Sequence, residues 1–421
     1  MWKIATTEGF PQTKKMIASS GNLMLFCVAF FWLCCRFDNV TSDIIKYDKT
    51  ILEDANLPAP DLIRKYGYSA QIHKITTKDG FVLTAHRIPK PGAQPVLMVH
   101  GLEDSSVGYL ILGPKKSLAY RLSDLGYDVW LLNTRGNRYS RKHKRYQRNM
   151  REFWDFSFHE VGLYDLPAAI DYVLAMNKGY EQLHYIGHSQ GTTSFMVMGS
   201  ERPSYMKKIK LMQALAPVVF CDYVGSPFVL FASKYVRPLT FYAGALGIYD
   251  FPPEGEVFQR LFYQICSFAF RNTCNYFLLQ LMGVDAQQLN ATLVPLFVRH
   301  VAGSSLKSLG HYTQLVHSGG FYKYDYYSAV ENRRRHGSDT PPQYNLSNVD
   351  CKVALYYSKN DLLTAVRDVE RLRDALPNVV HDGLIPYEKF NHVDFIWAND
   401  INSLLYDGMV ENMKRSDRGE L

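Results

Sequence analysis

The sequence predicts an α/β protein: an open, mostly parallel central sheet with a mainly helical insertion. Three observations predict it. Short apolar runs ending in glycine or turn residues recur along the chain, amphipathic helical stretches lie between them, and the alternation stops near Phe220 and resumes near Lys352. Alternating strands and helices bury a parallel sheet on both faces, which is why the strands read as continuous apolar runs rather than alternating ones. A length of 421 residues admits one such domain carrying a large insertion. Hydrophobic residues at 47% against 21% charged exclude a disordered chain. The net charge of +7 is spread thinly and accompanies no nucleic-acid motif, so no nucleic-acid partner is expected.

The first residues differ from the rest. Ile17 to Cys35 carries no charge, Lys3, Lys14 and Lys15 precede it, and Arg36 follows. A basic segment before a short apolar core reads as a secretory signal over 1–36. Cys34-Cys35-Arg36 is a poor cleavage site, which keeps a retained signal anchor as the alternative. Sequons at Asn39, Asn290 and Asn345 fit passage through the secretory route. Four cysteines lie beyond the leader, which allows three pairings. Cys266 and Cys274 are close enough for a local loop-closing bridge, whereas Cys221 and Cys351 read as free buried thiols.

The elements follow in order. His73 to Thr77, the turn Lys78-Asp79-Gly80 and Phe81 to Pro89 read as a hairpin. Pro95–Val99 runs into His100-Gly101, Asp128–Leu132 into Asn133-Thr134-Arg135-Gly136, Leu183–Ile186 into Gly187, Leu211–Leu215 into Ala216-Pro217, and Lys352–Tyr357 into Ser358 and Asp361. Val161, Leu166, Ile170, Val173 and Leu174 form one helical stripe that Gly179 closes. A last strand is expected over Leu384–Tyr387. The eight Lys/Arg between Arg135 and Arg151 read as a solvated basic loop, Arg333-Arg334-Arg335 as a surface turn, and Trp154 as core.

Gly187-His188-Ser189-Gln190-Gly191 has the form G-x-S-x-G between a strand and a helix. This is the context of a nucleophile elbow, a turn so tight that only glycines fit on either side of the serine. A serine hydroxyl needs a base. In proteins built around this elbow the acid and then the histidine follow the serine in the chain. His392 sits in the loop Asn391-His392-Val393-Asp394 after the last strand, whereas His300, His311, His317 and His336 fall in the insertion. Asp361 ends the preceding strand run. Asp394 reads as a loop-stabilising group. Two backbone amides should hold the oxyanion: that of Gln190, after the nucleophile, and that of Leu102, in the loop after the Pro95–Val99 strand. No G-x-G-x-x-G, Walker A or H-E-x-x-H pattern occurs, so no cofactor and no metal are implied.

HGLEDSS at 100–106, NTRGNRYSRKH at 133–143, FWDFSFHEVGLYDLPAAIDY at 153–172, GHSQGT at 187–192, KNDLLTAVRDV at 359–369 and NHVDF at 391–395 resemble the acid lipases, the gastric and lysosomal branch of the α/β-hydrolases. The resemblance runs from about Leu57 to about Asn399. It implies hydrolysis of esters in neutral lipids, triacylglycerols and in some members cholesteryl esters, at an oil–water or membrane interface. It implies a lidded cap, N-glycans, tolerance of acid pH and a secreted or lysosomal destination. Carried over, Ser189, Asp361 and His392 match the family triad, Leu102 and Gln190 its oxyanion hole, and the Cys266–Cys274 spacing its cap disulfide. One departure is Glu103, an acid where the family has an apolar residue. The expected organisation is a core over 37–219 and 346–421 and a cap over 220–345. The cap's lid, about 251–282, is rich in aromatic residues. A monomer is expected. The rival readings are a catalytically idle lipid-binding protein on the same fold and a short-chain esterase.

Overall fold

The structure, a computed structural model, describes residues 53–54, 56–252, 279–285, 287–288 and 299–421. The leader, Asn39, Asn290, Cys266, Cys274 and most of the lid segment lie outside these residues. The Lys78-Asp79-Gly80 turn joins β1 (Gln71–Thr76) and β2 (Val82–Ile88) in an antiparallel hairpin. The apolar runs become β3 (Pro95–Val99), β4 (Asp128–Asn133), β5 (Leu183–His188) and β6 (Ile209–Leu215). A two-stranded ladder in the insertion, β7 (Asp250–Phe251) with β8 (Ser304–Ser305), stands apart from the main sheet. The main sheet resumes with β9 (Val353–Tyr357) and ends with β10 (Val379–Leu384). Its order is β1-β2-β4-β3-β5-β6-β9-β10, with β2 antiparallel to β4 and every later pairing parallel.

The last strand lies earlier than Leu384–Tyr387. β10 is an edge strand of half-exposed residues, so it lacks the continuous apolar run that marks an inner strand. Pro386 has no N–H to offer a ladder.

Successive residues of the inner strands point to opposite faces and feed two separate cores. Leu97, Val99, Trp130, Leu132, Tyr185, Met212 and Leu355 face one core. Val96, Met98, Val129, Leu131, Ile186, Leu211 and Ala354 face the other. The first is covered by α3 (Leu166–Met176) and α4 (Gln190–Glu201), through Ile170, Val173, Phe195 and Met198. The second is covered by α1 (Ala59–Lys65), α2 (Leu118–Asp124) and α9 (Asp407–Asp417), through Leu62, Leu122, Met409 and Met413. Between β6 and β9 lie α5 (Pro227–Ala245), α6 (Leu306–Ser318) and α7 (Ala329–His336), and α8 (Val366–Ala375) links β9 to β10. Ser305 caps α6 by accepting the N–H of Ser308 at 3.0 Å.

The basic stretch after β4 is not a solvated loop at its start. Arg135 is 1% exposed at its side chain and lies 4.3 Å over the Phe81 ring. Its guanidinium donates to Asp165 Oδ1 at 2.7 and 2.9 Å, and to both oxygens of Asp79 at 2.7 and 3.0 Å. Asp165 closes the π-helical turn before α3, and Asp79 lies in the β1–β2 turn. One cation therefore pins three chain segments. Further along, Arg138 N–H and Arg141 Nη2 both donate to the carbonyl of Ala302, at 2.8 and 3.2 Å, tying this loop to the insertion. Arg333–Arg335 occupy the last turn of α7, not a turn between elements, and pair with Glu331, Asp339 and Asp155. Trp154 is buried, as expected.

Removing one partner of a buried pair strands the other's charge. Asp165→Ala should destabilise the protein by about 3–5 kcal/mol, read as a lower urea midpoint. Arg334→Ala, on the surface, should leave that midpoint unchanged.

Candidate active site

β3 has β4 on one side and β5 on the other, so the chain departs in both directions from this point of the sheet. Ligands of open α/β sheets bind beyond the strand carboxyl ends at such a switch. β3 and β5 end there in His100 and Ser189.

Ser189 has φ 51° and ψ −115°, a conformation that costs about 1–3 kcal/mol and persists only where the surroundings impose it. Three features impose it. A Cβ on Gly187 would stand 2.8 Å from the Gly191 carbonyl carbon, and one on Gly191 would overlap the backbone carbonyl of Val99 in β3. Ser189 N–H donates to Leu215 O at 3.0 Å, and Ser189 O accepts from Thr192 N–H at 2.9 Å. Tyr185 OH donates to Gly191 O at 2.8 Å. The serine remains 9% exposed at the head of α4. Gln190 is the first helical residue, so its N–H has no acceptor within the helix.

Asp361 leaves β9 and turns back on itself. Its Oδ1 accepts the N–H groups of Leu363 and Thr364 at 2.8 and 2.9 Å, which leaves Oδ2 to accept from His392 Nδ1 at 2.8 Å. With Nδ1 carrying the hydrogen, Nε2 of His392 is free to take a proton. His188, beside the serine, donates from Nε2 to the His392 carbonyl at 3.0 Å, and the two rings stand 5.0 Å apart. The structure thus bonds Asp361 to His392 and, through His188, ties the His392 loop to the elbow that carries Ser189. Asp394 Oδ2 accepts the N–H of Asn391 at 2.7 Å, which bears out its loop-stabilising reading.

The loop after β3 covers the serine. A Cβ on Gly101 would stand 3.2 Å from Ser189 Cβ and 3.1 Å from His188 Nδ1. His100 Nδ1 donates to Gly101 O at 2.7 Å, while its Nε2 accepts from Thr134 N–H and Asn137 Nδ2, both at 3.2 Å. This orients the Gly101–Leu102 peptide, and hence the Leu102 N–H. Burial pushes His100 down to about 4 and His188 down to about 3, so both act as neutral hydrogen-bonding groups. Neither was among the sequence-derived site residues. The only local signal was that each sits beside a glycine at the end of a buried strand.

Glu103 has φ 61°, and its carbonyl accepts the N–H of Ala302. Burial raises its carboxyl well above the usual range, against the opposing pull of Arg141. Asp104 is likewise pushed up to about 7 by burial. The departure at Glu103 is therefore a buried carboxyl beside the Ala302 stretch of the insertion.

The other histidines have other duties. His311 bridges Ser157 Oγ and Tyr322 O, at 3.0 and 2.9 Å, and His336 bonds Tyr324 O at 2.8 Å. Cys221 and Cys351 are free and buried. Asn345 is exposed, and its Oδ1 accepts from Ser347 N–H and Oγ at 3.2 and 2.7 Å.

Residues 94–398 match the family model described as the alpha/beta hydrolase fold, and residues 59–113 match the partial alpha/beta-hydrolase lipase region. The chain is 42% identical to Lipase 1 of Drosophila melanogaster, over 88% of this chain and 83% of that one. It is 37% identical to gastric triacylglycerol lipase of Homo sapiens, over 83% and 89%. The chain belongs to the α/β-hydrolase lipases. A solved structure from Acinetobacter baumannii AYE superposes with a TM-score of 0.52 at 13% identity, over 90% of this chain and 100% of that one, which speaks for the fold alone. In this lipase the elbow, the acid after β9 and the histidine after β10 follow the chain order of the hydrolase family.

Gly191→Ala would push the first turn of α4 away from β3. Overpacking costs about 1–3 kcal/mol, so the variant should melt lower and lose most of its turnover. An unchanged Tm and kcat would show that the elbow has slack.

Proposed function

We propose that this lipase hydrolyses fatty-acyl esters of neutral lipids, triacylglycerol and also cholesteryl ester, through an acyl-enzyme on Ser189. The observation that carries the reading is the Asp361–His392 hydrogen bond of 2.8 Å set beside a serine held in a strained elbow. His392 Nε2 takes the proton of Ser189 as Oγ attacks the ester carbonyl. The oxyanion rests on the N–H groups of Leu102 and Gln190, the latter at a helix N-terminus where negative charge is favoured. Protonated His392 then gives its proton to the departing alcohol. Water repeats the sequence on the acyl-enzyme and frees the fatty acid. Asp361 keeps the hydrogen on Nδ1 and stabilises the imidazolium.

The segment between β6 and β9 is read as the cap that shapes the acyl site, with its lid over about 251–282. Passage through the secretory pathway is supported by the basic–apolar leader and by the exposed Asn345 sequon. Among the described residues, no helix is long and apolar enough to cross a membrane.

The test offers purified protein an emulsified long-chain triacylglycerol and a soluble short-chain ester, at pH 5 and pH 7.5. Fatty-acid release should vanish in Ser189→Ala with folding intact. Asp361→Asn should lose on the order of 10⁴ in kcat by releasing the tautomer. Activity on the short ester alone would make the protein an esterase, and silence on both would move it to lipid binding. Near wild-type release by Ser189→Ala would sink the mechanism.

A further inference from the structure

The insertion returns to the core at Met282–Asp285 and lands on both loops that carry the acid and the base. The carbonyl of Met282 accepts the N–H of Leu362 and the N–H of His392, each at 3.3 Å. Gly283 has φ 121°, and a Cβ there would overlap the carbonyl of Asn360 and stand 2.8 Å from Asn391 Cβ. Asn391 Nδ2 donates to Gly283 O at 3.0 Å, and Asn360 Nδ2 donates to Val284 O at 3.1 Å.

Asp285 closes this landing. It is 1% exposed, and its Oδ1 accepts from Gln287 N–H, Gln288 N–H and Tyr387 OH at 2.8, 3.1 and 3.3 Å. Asp394, two residues after His392, is fully buried and spends Oδ2 on Asn391 N–H. One oxygen of each carboxyl is left over. Asp285 Oδ2 and Asp394 Oδ1 are both buried and find no donor among the described residues. The two carboxyls are near enough that both the charge of Asp285 and a side-chain interaction with it bear on Asp394. Two carboxylates in that position would repel, whereas one proton between them satisfies both leftover oxygens at once.

We propose that Asp285 and Asp394 share one proton, and that this pair is a positioning device that seats the His392 loop on the Met282–Asp285 stretch of the insertion. The inference rests on His392 being the catalytic base. The titratable groups that face the pair are Asp361, from the loop after β9, and Tyr387, from the loop after β10. Burial raises Asp394 to about 8; Asn391 N–H opposes this, and the charges of Asp285 and Asp361 add to it. The folded chain therefore holds a proton that the unfolded chain releases near its ordinary value of 3.8. Its contribution is full below that value and is lost as pH rises through about 8. A general base works better as pH rises, so a fall of kcat on the alkaline side belongs to the pair and not to His392.

The experiment measures kcat and KM on a soluble ester, and Tm, from pH 5 to pH 9 for wild type, Asp285→Asn and Asp394→Asn. Wild-type kcat should fall by about tenfold per pH unit once the proton is gone, with KM little changed, whereas Tm should fall from pH 5 to about pH 8 and level off above it. Either asparagine supplies a permanent N–H, so either variant should flatten both curves. Matching curves in wild type and variants would overturn the pair. Should neither variant fold, infrared spectra of ¹³C-aspartate protein carrying Asp104→Asn, which removes the other raised carboxyl near the site, decide: an un-ionised carboxyl must persist at pH 7, and its absence overturns the proposal. Loss of the pH contrast with Ser189 dependence intact would sink the pair alone. Full activity in Ser189→Ala with the Tm contrast intact would sink only the catalytic reading.

Discussion

The carbonyl of Val99 stands where a side chain of Gly191 would be, and from this contact the geometry of the site follows. β3 and β5 are neighbours in the sheet, so the helix that leaves β5 has to start against the end of β3. It can do so only if its first turn presents bare backbone. Tyr109 OH donates to the same Val99 oxygen at 2.9 Å, which holds the end of β3 in place from the other side. The strain at Ser189 is the consequence. The chain has to reverse within one residue between a strand it cannot leave early and a helix it cannot start late.

Around this point the polar groups are arranged to be neutral where they orient and charged where they assist. His100 and His188 are buried so deeply that neither gains a proton at ordinary pH. Each therefore presents one donor and one acceptor, which a charged ring could not. His100 uses them to fix the peptide that carries the Leu102 N–H, and His188 uses its donor to hold the backbone of His392. Asp361 is given two backbone donors, from Leu363 and Thr364, which suit a carboxylate. The division of labour comes from solvation, because the same residue types in water would all be free to ionise.

Two interior stretches of the insertion bind it into this arrangement. At one of them, β7 and β8 lie beside Ala302, whose carbonyl gathers Arg138 and Arg141 and whose N–H meets Glu103, next to the Leu102 amide. At the other, earlier in the chain, Met282 bonds the loops of Asp361 and His392. The insertion is thus joined by hydrogen bonds to the oxyanion loop at one stretch and to the acid and base at another, while its Leu315, Phe321 and Tyr344 pack into the first core.

The sequence by itself determined the sheet, the elbow and the chain order of the serine, acid and histidine. These are written locally: inner strands as unbroken apolar runs, the elbow as two glycines around a serine, and the histidine as a loop residue after the last strand. β10 was placed a few residues late because an edge strand has no continuous apolar run to mark its limits. Only the tertiary structure decided that Arg135 is buried, that His100 and His188 orient rather than titrate, and that Asp285 meets Asp394. Each of these depends on partners far away in the chain, Asp79 and Asp165 for Arg135, Thr134 and Asn137 for His100. Burial and pairing are properties of the packed environment, and an isolated residue type carries neither.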